Sequence, residues 1–151
     1  MAELLNYVIT FLLSGLPISE VRGGVIFGIA AGLNPVAVLV LSVIGNILAI
    51  PVVFWVLRQA HFREWLMKVF HKAAVGHIDK HKVKFELYKE LALFAFVAVP
   101  LPITGGYTGA LISEVLGWNW KKSFVAIAAG IVVAGLIVFL SAEGILHLIK
   151  V

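Results

Sequence analysis

The stretch LPISEVRGG, residues 16–24, returns 85 residues later as LPITGGYTG, residues 101–109. Carried outward at the same offset, residues 16–54 and 101–139 agree at 11 of 39 positions without a gap. The identities include the glycine, proline and asparagine residues that punctuate the apolar segments, which chance matching of apolar residues would not align. Self-similarity at a fixed offset is the signature of a repeated structural unit. The chain is therefore expected to consist of two copies of one unit.

The composition is that of an integral membrane protein. Hydrophobic residues make up 62% of the 151 residues, charged residues make up only 13%, and the mean hydropathy is +1.06. Soluble domains carry about 25% charged residues, so a water-soluble enzyme is excluded. The absence of cysteine excludes disulfides, thiolate metal sites and cysteine nucleophiles. Most of the positive charge lies in one stretch between apolar segments, as on a cytoplasmic loop, and nucleic-acid binding is not expected.

Two apolar segments, residues 36–57 and 120–143, are long enough to cross a bilayer, which takes about 20 residues. The segments before them are broken near their middle by the two LPI-containing stretches. Each remaining piece reaches only about 14–17 Å at about 1.5 Å per residue, which is half of a bilayer. We therefore predict two re-entrant helical hairpins, residues 4–33 and 89–118, with their tips near the midplane. Two tilted short spans per unit are the alternative.

Each unit then holds one hairpin and one full crossing, so the two units lie in the membrane in opposite orientations. The predicted fold class is an all-α integral membrane protein of two inverted repeats, an arrangement that recurs in secondary transporters. The predicted organisation is repeat 1 over 1–57, a linker over 58–88, repeat 2 over 89–143 and a tail over 144–151. Residues 58–89 carry eight Lys and Arg against three Asp and Glu, a net charge of +5, which places the linker in the cytoplasm. Both termini would lie outside, and the expected location is the plasma (inner) membrane of a prokaryote.

The linker is basic and amphipathic. Its apolar residues recur at helical spacing, which predicts an interfacial helix that rests on the membrane; they are Phe62, Trp65, Leu66, Val69 and Phe70. A partner-binding or gating role is the alternative. His77 and His81 are four residues apart, but two histidines on a basic loop are a weak metal signal, so no metal site and no cofactor is predicted.

Glu20 and Arg22 are the strongest candidates for chemistry. At a hairpin tip both would lie at membrane depth, where a central charge costs about 2.5–3.5 kcal/mol. In one interpretation they pair only to fix the shape of the tip. In the other, Arg22 holds an anionic group while Glu20 takes up and releases a proton. Burial favours the neutral form of Glu20 and Arg22 favours the charged form, so the sequence leaves its protonation state open.

The second tip offers hydroxyls and glycines in place of charge. Ser19 and Thr104 are expected to cap the returning half-helices, so that both helix N-termini point at the centre. Together with Arg22, these helix dipoles predict an anion site. The predicted substrate- and ion-binding residues are Glu20, Arg22, Ser19, Thr104, Tyr107 and Thr108. Structural roles at the tips are predicted for Pro17, Gly23, Gly24, Pro102, Gly105, Gly106 and Gly109.

Glu114 lies on the second returning half-helix, where the first repeat has Ile29. A solvated position near the cytoplasmic headgroups is the favoured interpretation, and a proton relay is the alternative. No constellation of nucleophile or metal ligands is present, so no catalytic residue is assigned and an enzyme is not expected.

The stretch PISEVRGG, residues 17–24, resembles the E-(L/V)-R-G motif of the small multidrug export protein family. PLPITGGYTGAL, residues 100–111, is similar to that family's second motif, P-L-P-x-T-G-(A/G)-(W/Y)-T-G-A-L. The family continues its first motif as R-G-A-I-P, whereas Arg22 is followed here by GGVIF, residues 23–27, without the proline. By its paired hairpins the family is similar to the DedA group, whose members are associated with proton-linked transport or flipping of lipid-linked phosphates. The resemblance implies a substrate with a phosphate head and an apolar tail.

The expected function is that of a proton-linked membrane transporter or flippase for an amphiphilic anion such as a polyprenyl-phosphate lipid. Arg22 would bind the headgroup, and Glu20 would couple protonation to the side that is open. Membrane lipids and a proton or other coupling ion are the expected partners, and a homodimer would shield the polar tips from lipid. Two alternatives stay open: a proton-coupled exporter of small cationic drugs, and a scaffold whose linker helix binds a partner or a lipid surface without transport.

Overall fold

The computed structural model describes residues 1–59, 82–101 and 104–149, and every regular element within these ranges is a helix. The six helices are α1 Ala2–Ser14, α2 Glu20–Ala30, α3 Pro35–Leu57, α4 Lys82–Ala98, α5 Gly106–Val115 and α6 Trp120–Ile149. The prediction of an all-helical chain is confirmed. The predicted interfacial helix, residues 62–70, and the pair of His77 and His81 lie outside the described residues.

Within the described ranges, two helices are long and apolar enough to cross a membrane, namely Pro35–Leu57 and the Trp120–Ile145 part of α6. They overlap the spans expected from the sequence, and α6 continues as a helix to Ile149, into the predicted tail. Helices α1, α2 and α5, with 13, 11 and 10 residues, are each too short to cross alone. Each of the two repeated halves of the sequence therefore contributes one helix that is long enough to cross a membrane.

The helix boundaries follow the 85-residue offset of the sequence repeat. Helices α2 and α5 end at equivalent residues, Ala30 and Val115, and helices α3 and α6 begin at equivalent residues, Pro35 and Trp120. Within each half the three helices pack against one another. The halves meet where α2 packs on α6, where α5 packs on α3, and where α3 packs on α6. The first two of these contacts are equivalent under the offset.

The connection that leads into the long helix is built in the same way in both halves. Gly32 and Gly117 have φ values of +72° and +67°, a left-handed conformation that glycine adopts without steric penalty. Asn34 then caps α3 and Asn119 caps α6, because each side-chain oxygen accepts a backbone N–H of the first turn, at 3.1 and 3.0 Å. Local sequence thus ends one helix and begins the next at equivalent places.

Glycines let the helices of the first half approach closely. Gly24 of α2 faces α1, and a Cβ at this position would lie 1.7 Å from Oγ of Ser14 and 2.9 Å from the carbonyl oxygen of Thr10. A Cβ on Gly45 of α3 would lie 2.6 Å from the carbonyl oxygen of Phe11. Small residues at helix contacts are the usual means of close packing in membrane proteins. These glycines set how closely α1, α2 and α3 can pack.

Replacing Gly24 with alanine should destabilise the protein by about 1–3 kcal/mol, because the added methyl group overlaps Ser14 and a backbone carbonyl. The measurement is thermal unfolding of the purified protein in detergent. Gly144 is the control, since a Cβ there has nothing within 4 Å and Gly144→Ala should keep or slightly raise the melting temperature. Equal melting temperatures for the two variants would contradict the close contact at Gly24.

Candidate functional site

Two breaks in the helical structure meet where the two halves of the chain are in contact. The first tip, residues 15–19, joins α1 to α2, and the second tip, whose described residues are 99–101 and 104–105, lies between α4 and α5. Glu20 follows the first tip as the first residue of α2, and its φ of +50° is the only left-handed value among the described non-glycine residues. Such a conformation is strained for a residue with a side chain and persists only where the surroundings hold it.

The Glu20 carboxylate is buried against the second tip, with 7% of the residue exposed. Its Oε1 accepts the backbone N–H of Tyr107 at 3.4 Å, and its Oε2 lies 3.6 Å from Nη2 of Arg22. The carboxylate also lies over Gly105, where an added Cβ would fall 1.9 Å from Oε2. Glycine at position 105 therefore makes the room that the carboxylate occupies.

Arg22 ties the first half of the chain to the second tip. Its Nη1 donates to the carbonyl oxygen of Leu101, and its Nη2 donates to the carbonyl oxygen of Thr104. Its Nε is buried and has no partner among the described residues. The guanidinium thus satisfies two backbone carbonyls at a break where no helix provides donors.

Tyr107 makes the reciprocal tie, because its hydroxyl donates to the carbonyl oxygen of Gly15 in the first tip. Positions 22 and 107 are 85 residues apart, and so are Glu20 and Gly105, which are in contact. Equivalent positions that touch each other lie where the two repeated units meet. Glu20 therefore lies at the junction of the two halves.

Ser19 and Thr104 lie in the tips as expected, but their side chains do not cap the helices. Ser19 occupies the N-cap position of α2 without a capping bond, and its hydroxyl donates to the carbonyl oxygen of Leu13. The N-cap of α5 is Gly105, and the Thr104 hydroxyl donates to the carbonyl oxygen of Val99. The prediction that these side chains cap the helices is wrong, because the path of each turn brings the hydroxyl to a carbonyl oxygen near the C-terminal end of the preceding helix.

The other predicted tip residues are placed less uniformly. Thr108 is half-buried, and its hydroxyl makes no hydrogen bond with another described residue. Pro17 is exposed on the first tip, and Pro102 lies outside the described residues. The remaining glycines pack on neighbouring side chains: Gly23 on Ser19, Gly24 on Ser14 and Ser42, Gly106 on Ile50 and Ile131, and Gly109 on Val97.

Glu114 lies at the end of α5 that points away from the second tip. Only 11% of its side chain is exposed, and its Oε2 accepts from Nε of Arg58 at 3.1 Å. The Arg58 guanidinium also lies 5.6 Å from the ring centre of Trp120. The structure thus places Glu114 in an ion pair that joins the ends of α3 and α5 near the start of α6.

Sequence reasoning missed a buried polar cluster beside the first tip. Thr10 and Ser14 on α1, and Ser42 and Asn46 on α3, are all 0% exposed. The Ser14 hydroxyl donates to the carbonyl oxygen of Thr10 at 2.7 Å, while the Ser42 hydroxyl and the Asn46 amide have no partner among the described residues. A signal for it exists in the sequence, because each pair of polar residues is spaced four apart on a largely apolar helix.

Glu20, Arg22 and Tyr107, which we call the tip cluster, combine a carboxylate that can take up a proton with a guanidinium that can hold an anion. Burial disfavours the charged carboxylate, whereas the positive charge of Arg22 favours it. An anion that binds Arg22 would weaken this stabilisation of the charged carboxylate by Arg22. Proton binding at Glu20 and anion binding at Arg22 therefore influence each other. Within the described ranges no group of His, Asp and Glu has a geometry that could hold a metal ion.

Gly105→Ala should displace the Glu20 carboxylate, because the new Cβ would overlap its atoms at 1.9–2.3 Å. We expect a loss of about 1–3 kcal/mol in folding free energy, because the displaced carboxylate leaves the backbone N–H of Tyr107 and the guanidinium of Arg22, measured by unfolding in detergent. Gly15→Ala in the first tip is the matched control, since the nearest atoms to its Cβ are at 3.5 Å, an ordinary contact. An unchanged melting temperature for Gly105→Ala would show that the carboxylate is not held against the second tip.

The fold and the tip cluster define a small helical membrane protein with an ion pair buried where two repeated halves meet. The model of the family described as "Putative small multi-drug export protein" matches residues 20–137, a range that starts at Glu20 and contains the second tip. The chain belongs to this family, whose description is that of a membrane transporter for export. No curated protein and no solved structure matches the chain.

Proposed function

We propose that the protein is a proton-linked membrane transporter or flippase for an amphiphile with an anionic head. The observation that carries the proposal is the pair of Glu20, which is buried, and Arg22, which is half-buried, at the junction of two equivalent tips. Ionisable residues at membrane depth are rare, and they commonly mark the path of an ion or a substrate. The family's description supports transport, and the chemistry of the site is the guide to the substrate.

The two tips are proposed to be re-entrant, so that α1–α2 and α4–α5 each enter and leave the membrane on one side. Helices α2 and α5, with 11 and 10 residues, extend about 15–17 Å at about 1.5 Å per residue, half of the hydrocarbon core. With one spanning helix in each half, the halves would be inverted relative to each other, as in many secondary transporters. The reciprocal ties of Arg22 and Tyr107 support such a two-fold relation.

Arg22 is proposed to bind the anionic headgroup. Its bonds to two backbone carbonyls occupy Nη1 and Nη2 but leave Nε without a partner among the described residues, and neutral carbonyls do not balance its charge. Among the described residues only the Glu20 carboxylate, at 3.6 Å, supplies negative charge to it. An anion that reaches Arg22 gains a charge-assisted and bidentate contact that neutral carbonyls do not match. The hydroxyls of Ser19, Thr104, Tyr107 and Thr108 would be the hydrogen-bonding partners of the headgroup.

The position of Glu20 beside Arg22 determines whether proton binding favours or opposes anion binding. While Glu20 is charged it neutralises Arg22 and competes with an incoming anion. Once Glu20 is protonated, the charge of Arg22 is available. Proton binding and anion binding therefore favour each other, and by linkage the affinity for the anion rises as pH falls. The proton and the anion would cross the membrane together.

A phosphate head on a long apolar tail, as in a polyprenyl-phosphate lipid, is the proposed substrate class. Phosphate matches the planar, bidentate donor geometry of arginine. A relationship to the DedA group through the proposed hairpins is part of the same proposal, and it would imply the same class of substrate. The basic linker, residues 58–88, is proposed to lie in the cytoplasm of a prokaryote with both termini outside, and a homodimer is proposed to shield the polar tips.

Proton-coupled export of cationic drugs is the second candidate, and the family's description favours it. In this scheme the charged Glu20 holds the cation, and a proton that binds Glu20 displaces it. Arg22 lies 3.6 Å from that carboxylate and opposes a cation, which is why the anion is preferred. The two candidates predict opposite pH dependence, since affinity for a cation falls as pH falls.

Binding of a polyprenyl phosphate and of a lipophilic cation to the purified protein, in acidic and in mildly alkaline buffer, tests the proposal. The wild type should bind the phosphate more tightly in acid. A lipid sulfonate, whose own charge is fixed, should show the same trend. Arg22→Ala should lose at least about tenfold in affinity, since a hydrogen bond to a charged group is worth about 1.5–3 kcal/mol. Glu20→Gln should bind tightly in both buffers.

Glu3→Gln is the matched control, because Glu3 is an exposed carboxylate in the first turn of α1, and its neutralisation should leave the pH dependence unchanged. Arg22→Lys separates charge from geometry, because lysine keeps the charge and loses the bidentate fork. Full phosphate binding by Arg22→Lys would contradict bidentate recognition. Cation binding that weakens in acid and is lost in Glu20→Gln would replace anion transport with drug export.

A further inference from the structure

The contact of α5 on α3 is closed. Nε of Arg58 donates to Oε2 of Glu114 at 3.1 Å and joins the ends of the two helices. Phe54 and Leu57 on α3 are 2% and 6% exposed. The Phe54 ring centre lies 6.3 Å from that of Trp120, so aromatic packing supports the ion pair.

The equivalent contact of α2 on α6 contains a cavity of about 390 Å³. Side chains of both helices line it, among them Ile29 from α2 and Val138 and Ala142 from α6. The lining is almost wholly apolar. The repeat makes these two contacts equivalent. Large buried side chains and an ion pair close the α3–α5 contact, whereas the α2–α6 contact contains the cavity.

The side chains that fill the closed contact have less buried counterparts at the open one. Phe139 and Ala142 occupy the positions equivalent to Phe54 and Leu57, and both are only partly buried. Leucine at position 57 is larger than alanine at position 142, which leaves space at the α2–α6 contact.

The α2–α6 contact cannot form the equivalent ion pair, because the residues at the two equivalent positions are different. Glu143 stands at the position equivalent to Arg58, and Ile29 stands at the position equivalent to Glu114. A carboxylate and an isoleucine cannot form an ion pair, so these two positions do not join α2 to α6 as Arg58 and Glu114 join α3 to α5.

We infer that the cavity between α2 and α6 is an open binding site for the hydrocarbon chain of the substrate, and that the Arg58–Glu114 pair holds the equivalent site between α3 and α5 closed. The inference rests on the proposed function, because it takes the substrate to be an amphiphile with its head at Arg22. Inverted repeats expose a central site to each side of the membrane in turn by opening one half against the other. The structure in hand is the state in which the α2–α6 site is open.

The cavity lies beside the tip cluster. Ile26 and Ala30 line it four and eight residues after Arg22, on the same face of α2. Pro100 also lines it and precedes Leu101, whose carbonyl oxygen accepts from Arg22. A headgroup on Arg22 would therefore find an apolar channel for its chain directly alongside.

Opening the other site requires the Arg58–Glu114 pair to break. The Arg58 side chain is 42% exposed, so a released guanidinium is readily solvated. Partly exposed ion pairs contribute little to stability. Such a contact can hold one state without preventing the change to the other.

Cross-linking with a short, cleavable bifunctional thiol reagent tests the inference, because the chain has no cysteine of its own. The first double variant is Val53→Cys with Val115→Cys, which keeps Arg58 and Glu114, and the second is the equivalent pair, Val138→Cys with Ala30→Cys, whose two positions line the cavity. In membranes without substrate, the first pair should cross-link several-fold more than the second. A cross-link in the first pair should stop transport of a polyprenyl phosphate but leave its binding intact, and cleavage should restore transport.

Glu114→Gln in the Ala30→Cys, Val138→Cys background removes a charge that closes the α3–α5 contact. The cross-link between positions 30 and 138 should then rise several-fold, because the other state is more populated. Lys121→Gln is the matched control: Lys121 is an exposed charge near the same end, and its neutralisation should leave the yield unchanged.

A cross-link between positions 30 and 138 that forms as readily as the one between positions 53 and 115 in every condition would overturn the inference. So would one that never forms while transport proceeds. The yield does not depend on knowing the substrate. Yields that respond to Glu114→Gln, together with no pH-dependent binding at Arg22, would therefore reject the proposed function while the alternation of two sites stands.

Discussion

Backbone carbonyls that a break between helices leaves without helical donors must be satisfied by other groups. At the two tips, a side chain from the opposite half provides such a donor. Arg22 donates to carbonyls of the second tip, and Tyr107 donates to a carbonyl of the first. The two halves are therefore held together at the point where each is locally least regular.

This exchange of donors determines the rest of the site. A guanidinium brought into the junction needs a negative charge nearby, and Glu20 provides it at 3.6 Å from the adjoining turn. The carboxylate reaches that place only with a left-handed backbone at Glu20 and with glycine at position 105. The repeats are thus complementary at their junction, since one contributes the charged group and the other contributes the space. Because the two tips differ in this way, one ion pair forms where they meet.

Features encoded locally were predictable from the sequence, and features that depend on contact between the halves were not. Asn34 and its equivalent Asn119 marked the starts of the long helices, and the isolated charges Glu20 and Arg22 marked the site. The tip hydroxyls were misassigned as caps, because which backbone group a hydroxyl reaches depends on the path of the turn. The bond from Arg58 to Glu114 joins residues 56 apart, and no local pattern announces such a pair.

Whether the two tips meet inside the bilayer is most directly tested by the depth of a spin label at the first tip. Ile18 is 98% exposed, so a single cysteine there carries a nitroxide without disturbing packing, and the chain has no other cysteine. In lipid vesicles we expect the label to be accessible to oxygen and protected from a water-soluble nickel complex, at a depth near the midplane. A label at Gln59, exposed just beyond α3, should be accessible to nickel. Nickel accessibility at position 18 equal to that at position 59 would contradict re-entrant tips.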